Sequence, residues 1–261
     1  MAKNKPVYAF EEADSKKRML LGGKGAGLSE MTRLKLPVPP GFTITTEVCN
    51  KYYDNNGKLP KDVMPAVMKN IAKMEKKTGK KWNSTKNPLL VSVRSGAAIS
   101  MPGMMDTILN LGLNEKTVEG FAEQTKNPRF SWDSYRRFIQ LFGKVVFGVN
   151  DEKFDHVLDD AKEKQGVTDD SKLNVESLKT IVSKYKKICE EHTKRKFPDT
   201  PNEQLVLSIE AVFKSWMGER AIVYREKNNI TKDIANGTAV NVVTMVFGNM
   251  GDDSATGVVF T

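Results

Sequence analysis

The sequence predicts an α+β fold in which strands at both ends of the chain flank a block of helices. Short apolar runs rich in β-branched residues occur at residues 42–45, 89–93 and 239–247, which is typical of strands. Between them, apolar residues recur at helical spacing over about residues 114–198. Because strands return only after that block, this order indicates an α+β domain with a helical insertion.

The first part of the chain is predicted to alternate strands and helices. Residues 7–10 form a short strand, and the glycine-rich residues 22–27 form a loop ahead of a helix at residues 28–34. After a proline-rich break and the next strand, Thr46 is a candidate cap for another helix. Residues 60–77 form a helix with one apolar face, made of Val63, Val67, Ile71 and Met74.

The same spacing of apolar residues predicts the helices and strands in the middle and at the end of the chain. In the helical block, Asn174 caps a helix with one apolar stripe, made of Val175, Leu178, Val182, Tyr185 and Ile188. A helix at residues 204–216 follows, and strands are predicted at residues 221–224 and 239–247. An apolar run at residues 258–261 is a further strand candidate. The strands at residues 239–247 and 258–261 bracket the loop at residues 248–257 and are predicted to form a hairpin. Because an isolated two-stranded ribbon is only marginally stable, we expect the chain to be the first part of a longer protein.

Composition and charge indicate which broad class of protein this is. With 39% hydrophobic and 28% charged residues, the chain is expected to be soluble and globular, and it has no apolar run long enough to cross a membrane. It lacks a secretory signal, and Cys49 and Cys189 are widely spaced, so we expect a cytoplasmic protein. The net charge of +9 fits solvated helix faces. Attraction of a nucleotide or a nucleic acid is the alternative, although no nucleic-acid-binding motif is present.

The segment GGKGAG at residues 22–27 is a candidate phosphate-binding site. Glycines on both sides of Lys24 let backbone N–H groups face an anion at the start of the following helix, and the lysine adds a mobile positive charge. The segment does not have the order of a Walker A sequence. A plain turn before a helix is therefore the alternative interpretation.

The segment LVSVRSGAAISMPGMMD at residues 90–106 is more specific. A predicted strand delivers Arg94 into a loop of small residues, where a polyanion can approach the backbone. An arginine at the end of an apolar strand must leave the core or find an anion, and a structural salt bridge is the alternative. Methionines such as Met105 line an adenine pocket beside Arg94 or pack beneath it. Asp106 caps the next element or meets a bound cation.

Two further segments contain candidate residues. Within residues 133–138, Arg136 and Arg137 cannot both face the core, so one is expected to point to solvent, to a phosphate or to a partner domain. The polar loop at residues 248–257 can fold over phosphates and exclude water, with Ser254 and Thr256 as hydroxyl donors. A plain hairpin loop is the alternative.

These motifs occur together in one order along the whole chain. The order is LLGGKGAGLSEM, PVPPGFTITTE, LLVSVRSGAAISMPGMMDTILNLG, DSYRRFIQ, RAIVYR and TAVNVVTMVFGN. It resembles the N-terminal nucleotide-binding domain of the pyruvate, phosphate dikinase family. The run MPGMMDTILNLG distinguishes this resemblance from the related phosphoenolpyruvate synthases and glucan, water dikinases.

The resemblance implies an ATP-grasp fold, in which two lobes hold ATP between them. The implied organisation is a first lobe at residues 1–113 and 200–246, a helical insertion at 114–199 and an incomplete second lobe at 247–261. For the complete protein, the resemblance implies conversion of ATP, phosphate and pyruvate to AMP, pyrophosphate and phosphoenolpyruvate. A phosphohistidine on a central domain carries the phosphoryl group.

The resemblance also assigns roles to residues. Lys24 and Arg94 match the family's phosphate-binding residues, Thr256 matches a glycine-loop residue near the phosphates, and Val243 and Met245 match the strand that borders the adenine. With the residues above, the ATP-binding candidates are Lys24, Arg94, Met105, Asp106, Val243, Met245, Ser254 and Thr256. The domain-docking candidates are Arg136, Arg137 and Arg220, the last by its match to a docking position.

Further expectations concern cofactors and partners. ATP and Mg²⁺ are the expected cofactors, and the metal ligands, the phosphohistidine and the pyruvate-binding barrel are expected beyond residue 261. We expect no catalytic residue and no dikinase turnover from this chain alone, no membrane or nucleic-acid partner, and a homodimer for the full-length enzyme. The alternative is a non-catalytic nucleotide-binding or docking module of the same family.

Overall fold

The strands form an open antiparallel sheet, as the α+β prediction requires. The computed structural model describes residues 4–251 and 253–257. Its strands are β1 (Val7–Ala9), β2 (Gly41–Ile44), β3 (Val91–Ala97), β4 (Thr107–Leu111) and β5 (Thr238–Thr244). They lie in the order β1-β2-β5-β3-β4, and each neighbouring pair is antiparallel. Among the described strands, the one that comes last in the sequence therefore occupies the centre of the sheet.

Helices cover much of this sheet and form a separate block beside it. They are α1 (Arg18–Arg33), α2 (Thr46–Asp54), α3 (Val63–Thr78), α4 (Glu115–Thr125), α5 (Pro128–Phe147), α6 (Asp151–Gln165), α7 (Val175–Thr193), α8 (Pro201–Ser215) and α9 (Glu219–Lys227). In the described part of the chain, no helix is both long and apolar enough to cross a membrane.

The register of β3 on β5 separates two different faces of the sheet. Arg94 lies opposite Asn241, and Ser92 lies opposite Val243, so these residues share the face that we call the Arg94 face. Helix α1 packs on part of that face, because Gly25 of the helix lies close to Asn241. The other face consists largely of buried β-branched and aromatic side chains and packs against α2, α3 and α8; they are Phe42, Ile44, Val91, Val93, Val240 and Val242.

The helical block appears where the periodicity predicts it, from α4 to α7. Its core is aromatic, with Tyr135, Phe138 and Phe142 fully buried on α5, against which α7 packs. The predicted cap is confirmed, since the Asn174 side chain accepts a hydrogen bond from Ser177 N–H at the start of α7. Asn114 provides a more connected cap at the start of α4. Its side chain accepts from two backbone N–H groups of the helix and donates to the Asp199 carbonyl oxygen at 2.9 Å.

Replacing Asn114 with alanine is expected to lower the free energy of unfolding by about 2–3 kcal/mol, because a cap and a buried tertiary hydrogen bond are lost together. Urea unfolding measures this loss. The matched control is Asn174→Ala, which removes an exposed cap with one helix contact and is expected to cost about 1 kcal/mol. Equal losses in the two variants would contradict the role of Asn114 in joining α4 to the chain ahead of α8.

The structure corrects several expectations about the elements. Residues 221–224 belong to α9 rather than to a strand, and only Ala221 of that helix is buried, so their apolar character reflects one buried contact and an exposed surface. Strand β4 has no counterpart among the predicted elements, because no strand is predicted after the turn that contains Pro102 and Gly103. Thr46 does not cap α2: Thr45 holds the cap position, and the Thr46 hydroxyl donates to the Met19 carbonyl oxygen instead.

The predicted C-terminal hairpin is only partly within the described structure. The strand at residues 239–247 is shorter than expected and ends at Thr244. Phe247 then packs against Phe121 and Phe130 of the helical block. The described part of residues 248–257 contains turns and no strand, and the strand predicted at residues 258–261 lies outside the described residues.

Candidate functional site

The glycine-rich segment at residues 22–27 is part of helix α1, and the loop predicted there is wrong. Gly22 alone has a non-helical backbone, with φ 70° and ψ 165°, and it divides α1 into two helical segments. A Cβ at Gly22 would overlap the Gly96 carbonyl oxygen, so α1 touches β3 through bare backbone. The second segment therefore starts at Gly23 against β3, and the positive end of its dipole lies there.

Arg94 lies within β3 and not in a loop after it. The strand continues to Ala97, and Arg94 pairs with Thr107 on one side and Asn241 on the other. The small residues after Arg94 serve the approach of α1, because a Cβ at Gly96 would lie 2.6 Å from Asn241 Nδ2 and 3.3 Å from Lys24 Cβ. The side chain of Arg94 itself is exposed on its face of the sheet.

A cleft of about 480 Å³ lies where α1, the end of β3 and the loop at residues 98–106 meet. Arg18, Gly23 and Lys24 line it from α1. The opposite wall comes from the loop, including Met101 and Met105. No acidic side chain among the described residues lines this cleft. The cleft is therefore a cationic site with room for several phosphate groups.

Lys24 lines the cleft as an exposed residue, and its ammonium is partly withdrawn from solvent. Its Nζ donates a hydrogen bond to the Ser95 carbonyl oxygen at 2.9 Å. Burial, and secondly the positive charge of Arg94, lower the pKa of Lys24 below its ordinary value of 10.5. No carboxylate in the described part of the chain pairs with Lys24. The two basic residues singled out from sequence thus lie close enough to repel each other, and an anion between them would remove that repulsion.

Replacing Lys24 with methionine is expected to change the unfolding temperature of the ligand-free protein by no more than about 3 °C, because one hydrogen bond and the repulsion between Lys24 and Arg94 disappear together. The lowered pKa of Lys24 also sets how stability depends on pH. At neutral pH the charged form of Lys24 lowers the free energy of unfolding, and this penalty disappears as pH rises towards 10.5. The same change is expected to abolish stabilisation by ATP in a thermal unfolding assay.

The matched control for this variant is Lys80→Met, because burial also lowers the pKa of Lys80 and that residue does not line the cleft. The Lys80 variant is expected to keep the full stabilisation by ATP. Stabilisation by ATP that survives in the Lys24 variant would contradict the assignment of Lys24.

The structure brings Asp106 and Arg220 together, although they were predicted to have separate roles. Asp106 directly precedes β4 and caps no helix; its carboxylate lies 3.8 Å from the Arg220 guanidinium on α9. Burial raises the pKa of Asp106, and Arg220 opposes that shift. Arg220 remains 72% exposed. Met105, the residue before Asp106, lines the cleft. The ion pair of Asp106 with Arg220 therefore links the wall of the cleft to the surface of α9.

Of the ATP-binding candidates, only Lys24 and Met105 line the cleft, and Arg94, Asp106 and the other candidates lie outside its lining. Val243 is half-buried on the Arg94 face, beside Ser92. Met245 follows β5, where its N–H donates to the Leu90 carbonyl oxygen at 2.9 Å. Ser254 N–H donates to the Gly251 carbonyl oxygen within a turn, and Thr256 packs against Gly248.

The two arginines of the helical block have different environments, as expected. Arg136 is 3% exposed and pairs with Asp133 and Asp170. Arg137 is 59% exposed and donates to Asp133 Oδ2 at 3.0 Å. Only Arg137 therefore presents its guanidinium to solvent, whereas Arg136 joins α5 to the segment before α7.

Sequence reasoning missed Arg18. This residue begins α1, and its Nε donates to the Ala98 carbonyl oxygen at 2.8 Å across the cleft. The sequence signal was weak: an arginine four residues ahead of Gly22, in a stretch with several other basic residues. Nothing local indicates that residues 80 positions apart meet here.

The described residues do not form a metal site. They contain no group of three or more histidine, cysteine, aspartate or glutamate side chains that could hold a metal ion. The Asp106 carboxylate, next to the cleft wall in the sequence, faces Arg220.

Comparison with known proteins gives one consistent result. The family model described as "Pyruvate phosphate dikinase, AMP/ATP-binding domain" matches residues 18–63 and 55–261. The chain is 55% identical over 255 residues to pyruvate, phosphate dikinase of Entamoeba histolytica, and 51% identical over 256 residues to that of Clostridium symbiosum. It is 48% identical over 261 residues to pyruvate, phosphate dikinase 1, chloroplastic, of Arabidopsis thaliana. Each match covers 98% of this chain but only 29%, 29% and 27% of the relative, respectively.

Proposed function

The chain belongs to the AMP/ATP-binding domain family of pyruvate phosphate dikinases, and on this premise we propose that the cleft beside Lys24 binds the phosphates of ATP. One observation carries the proposal: Lys24 lines the cleft with its ammonium partly buried, next to a second cation and without an acidic partner among the described residues. Two neighbouring cations repel each other until a counter-ion binds between them. A polyphosphate supplies that counter-ion.

In the proposed binding mode, the phosphates and the adenosine lie at opposite ends of the Arg94 face. Phosphates lie in the cleft over Gly23 and Lys24, where a helix dipole and bare backbone favour an anion. Arg94 reaches the phosphates from the open part of the sheet. The adenosine lies towards Val243 and Met245, with Met105 at the cleft wall and Ser254 and Thr256 closing over the phosphates. This arrangement is half of an ATP-grasp fold, and a second lobe outside the chain completes it.

In the whole protein, we propose that this site positions ATP for phosphoryl transfer to a histidine on another domain, on the way to phosphoenolpyruvate. Positioning and neutralisation of phosphate charge are the main contributions that a protein makes to such a transfer. Lys24 and Arg94 provide these here. Any Mg²⁺ is held by residues beyond the described ones, and Arg137 and Arg220 offer exposed guanidinium groups to the incoming domain.

Calorimetric titration of ATP into the purified chain, without and with Mg²⁺, tests the proposed function. ATP and inorganic tripolyphosphate are both expected to bind, because the cleft recognises phosphate. A folded chain that binds neither ligand would overturn the assignment of this cleft. The same preparation, supplied with phosphate and pyruvate, is expected to release no AMP or phosphoenolpyruvate.

A further inference from the structure

We propose that Arg18 is a third phosphate-binding residue and that it binds the phosphate farthest from the adenosine, so that this site favours ATP over AMP. This inference rests on the proposed function of the cleft. It extends that function by assigning an orientation to the nucleotide and a source of its selectivity. The argument depends on how Arg18 is held, on where it lies relative to the other two cations, and on what the opposite end of the site contains.

The guanidinium of Arg18 is held in place with most of its donors unused. Its Nε donates to the Ala98 carbonyl oxygen, and Nη2 lies 3.1 Å from the position that a Cβ on Gly23 would occupy. The absence of a side chain on Gly23 is what lets the guanidinium lie across the start of the second segment of α1. Within the described residues, Arg18 has no carboxylate partner. A fixed, planar group with free N–H donors is well suited to bidentate binding of a phosphate.

The three cations lie in order beside one stretch of backbone, residues 94–98. Arg94 projects from β3, Lys24 reaches the Ser95 carbonyl oxygen, and Arg18 reaches the Ala98 carbonyl oxygen. Ser95 and Ala98 are three residues apart, a span of at most about 10 Å in extended chain. Because Ser95 to Ala97 belong to β3, the chain here is extended, and this spacing lets Lys24 and Arg18 act on neighbouring parts of one elongated anion.

The end of the site beyond Arg94 has a different character. Leu109 is exposed and Val243 is half-buried, and both lie on the Arg94 face. Partly exposed apolar side chains suit a nucleoside, whereas the cleft lined by Arg18 and Lys24 offers positive charge. Among the described residues no acidic side chain lines this cleft, and Asp14 and Glu30 line the adjoining groove on the other side of Arg18. The nucleotide is thus oriented with its base beyond Arg94 and its terminal phosphate at Arg18. AMP, with one phosphate, does not extend to Arg18.

The test compares binding of ATP, AMP and inorganic tripolyphosphate to wild-type protein and to Arg18→Ala, by calorimetry. The Kd for ATP and for tripolyphosphate is expected to rise about 10- to 30-fold, the effect of losing charge-assisted hydrogen bonds. The Kd for AMP is expected to change less than about 2-fold, within ordinary surface effects. The ratio of the ATP effect to the AMP effect is the diagnostic readout, because a variant that only disturbs the fold weakens both ligands alike.

Two further variants make the result decisive. Arg33→Ala removes an arginine from the other end of α1, one that pairs with Glu30, and it is expected to leave all three affinities unchanged. Arg18→Lys keeps the positive charge but not the planar guanidinium, so a smaller loss of affinity, confined to ATP and tripolyphosphate, is expected. This variant replaces Arg18→Ala if the alanine variant does not fold. Unchanged ATP affinity in Arg18→Ala, or equal loss for ATP and AMP, overturns the inference while wild-type binding still supports the proposed function. Failure of the wild type to bind any of the three ligands overturns both.

Discussion

Replacing Arg94 with alanine is expected to raise the Kd for ATP about 30- to 100-fold, as loss of a charge-assisted contact with a phosphate predicts. The fold is expected to keep its stability. The Arg94 side chain is exposed and makes no hydrogen bond or ion pair with another described residue, and its charge opposes that of Lys24. Removal of Arg94 thus relieves a repulsion in the empty protein and costs affinity only when ATP is bound.

The measurement is a titration of ATP into the variant, together with thermal unfolding of the ligand-free protein. Arg195→Ala is the control, because it also removes an exposed arginine and one positive charge, but from a different groove in the helical block. Equal weakening in both variants would mean that net charge attracts ATP, and the specific role of Arg94 would be lost. A marked fall in the unfolding temperature of Arg94→Ala would point to a structural role instead.

Replacing Gly22 with alanine is expected to destabilise the fold by at least about 3 kcal/mol, since a positive φ alone costs about 1–3 kcal/mol and the methyl group also overlaps the Gly96 carbonyl oxygen. Relief of that overlap must move α1 away from β3, which widens the cleft and separates Lys24 from Ser95. ATP affinity is therefore expected to fall along with stability.

A neighbouring glycine provides the control for this second prediction. Gly27 lies in the same helix, its φ is ordinary, and a Cβ there would meet nothing within 4 Å. Gly27→Ala is expected to stabilise the protein by about 0.5–1 kcal/mol, the usual gain for alanine over glycine in a helix. Urea unfolding of both variants gives the comparison, and similar behaviour of the two would show that the kink at Gly22 is not required.

Local patterns in the sequence predicted much of the fold. The apolar stripe of α7 and its Asn174 cap depend on residues three or four positions apart, so the sequence shows them directly. The segment at residues 221–224 was misread because a short apolar run fits a strand or a helix equally well. Strand β4 was missed because it follows a turn with Pro102 and Gly103 and includes Asn110, whose φ is 59°.

The candidate site was predictable only in part, because some of its contacts join residues that are far apart in the sequence. Lys24 and Arg94 stand out because each lies among small residues, and the structure places them together. Gly22 to Gly27 suggested a loop because glycine is a poor helix former, yet the helix is favoured by close packing on the sheet. The position of Arg18 depends on a contact with Ala98, and no local pattern contains such information.

The central position of β5 has a consequence for how the protein folds. Of the five strands that the structure describes, this one comes last in the sequence, yet it joins β2 on one side to β3 on the other. Until β5 arrives, the earlier strands form two separate pairs, β1 with β2 and β3 with β4, and neither is stable alone. Closing the sheet requires a loop that contains the entire helical block, and such long-range pairing slows folding. A ribosome must therefore release nearly all of this chain before its sheet, and with it the cleft beside Lys24, can form.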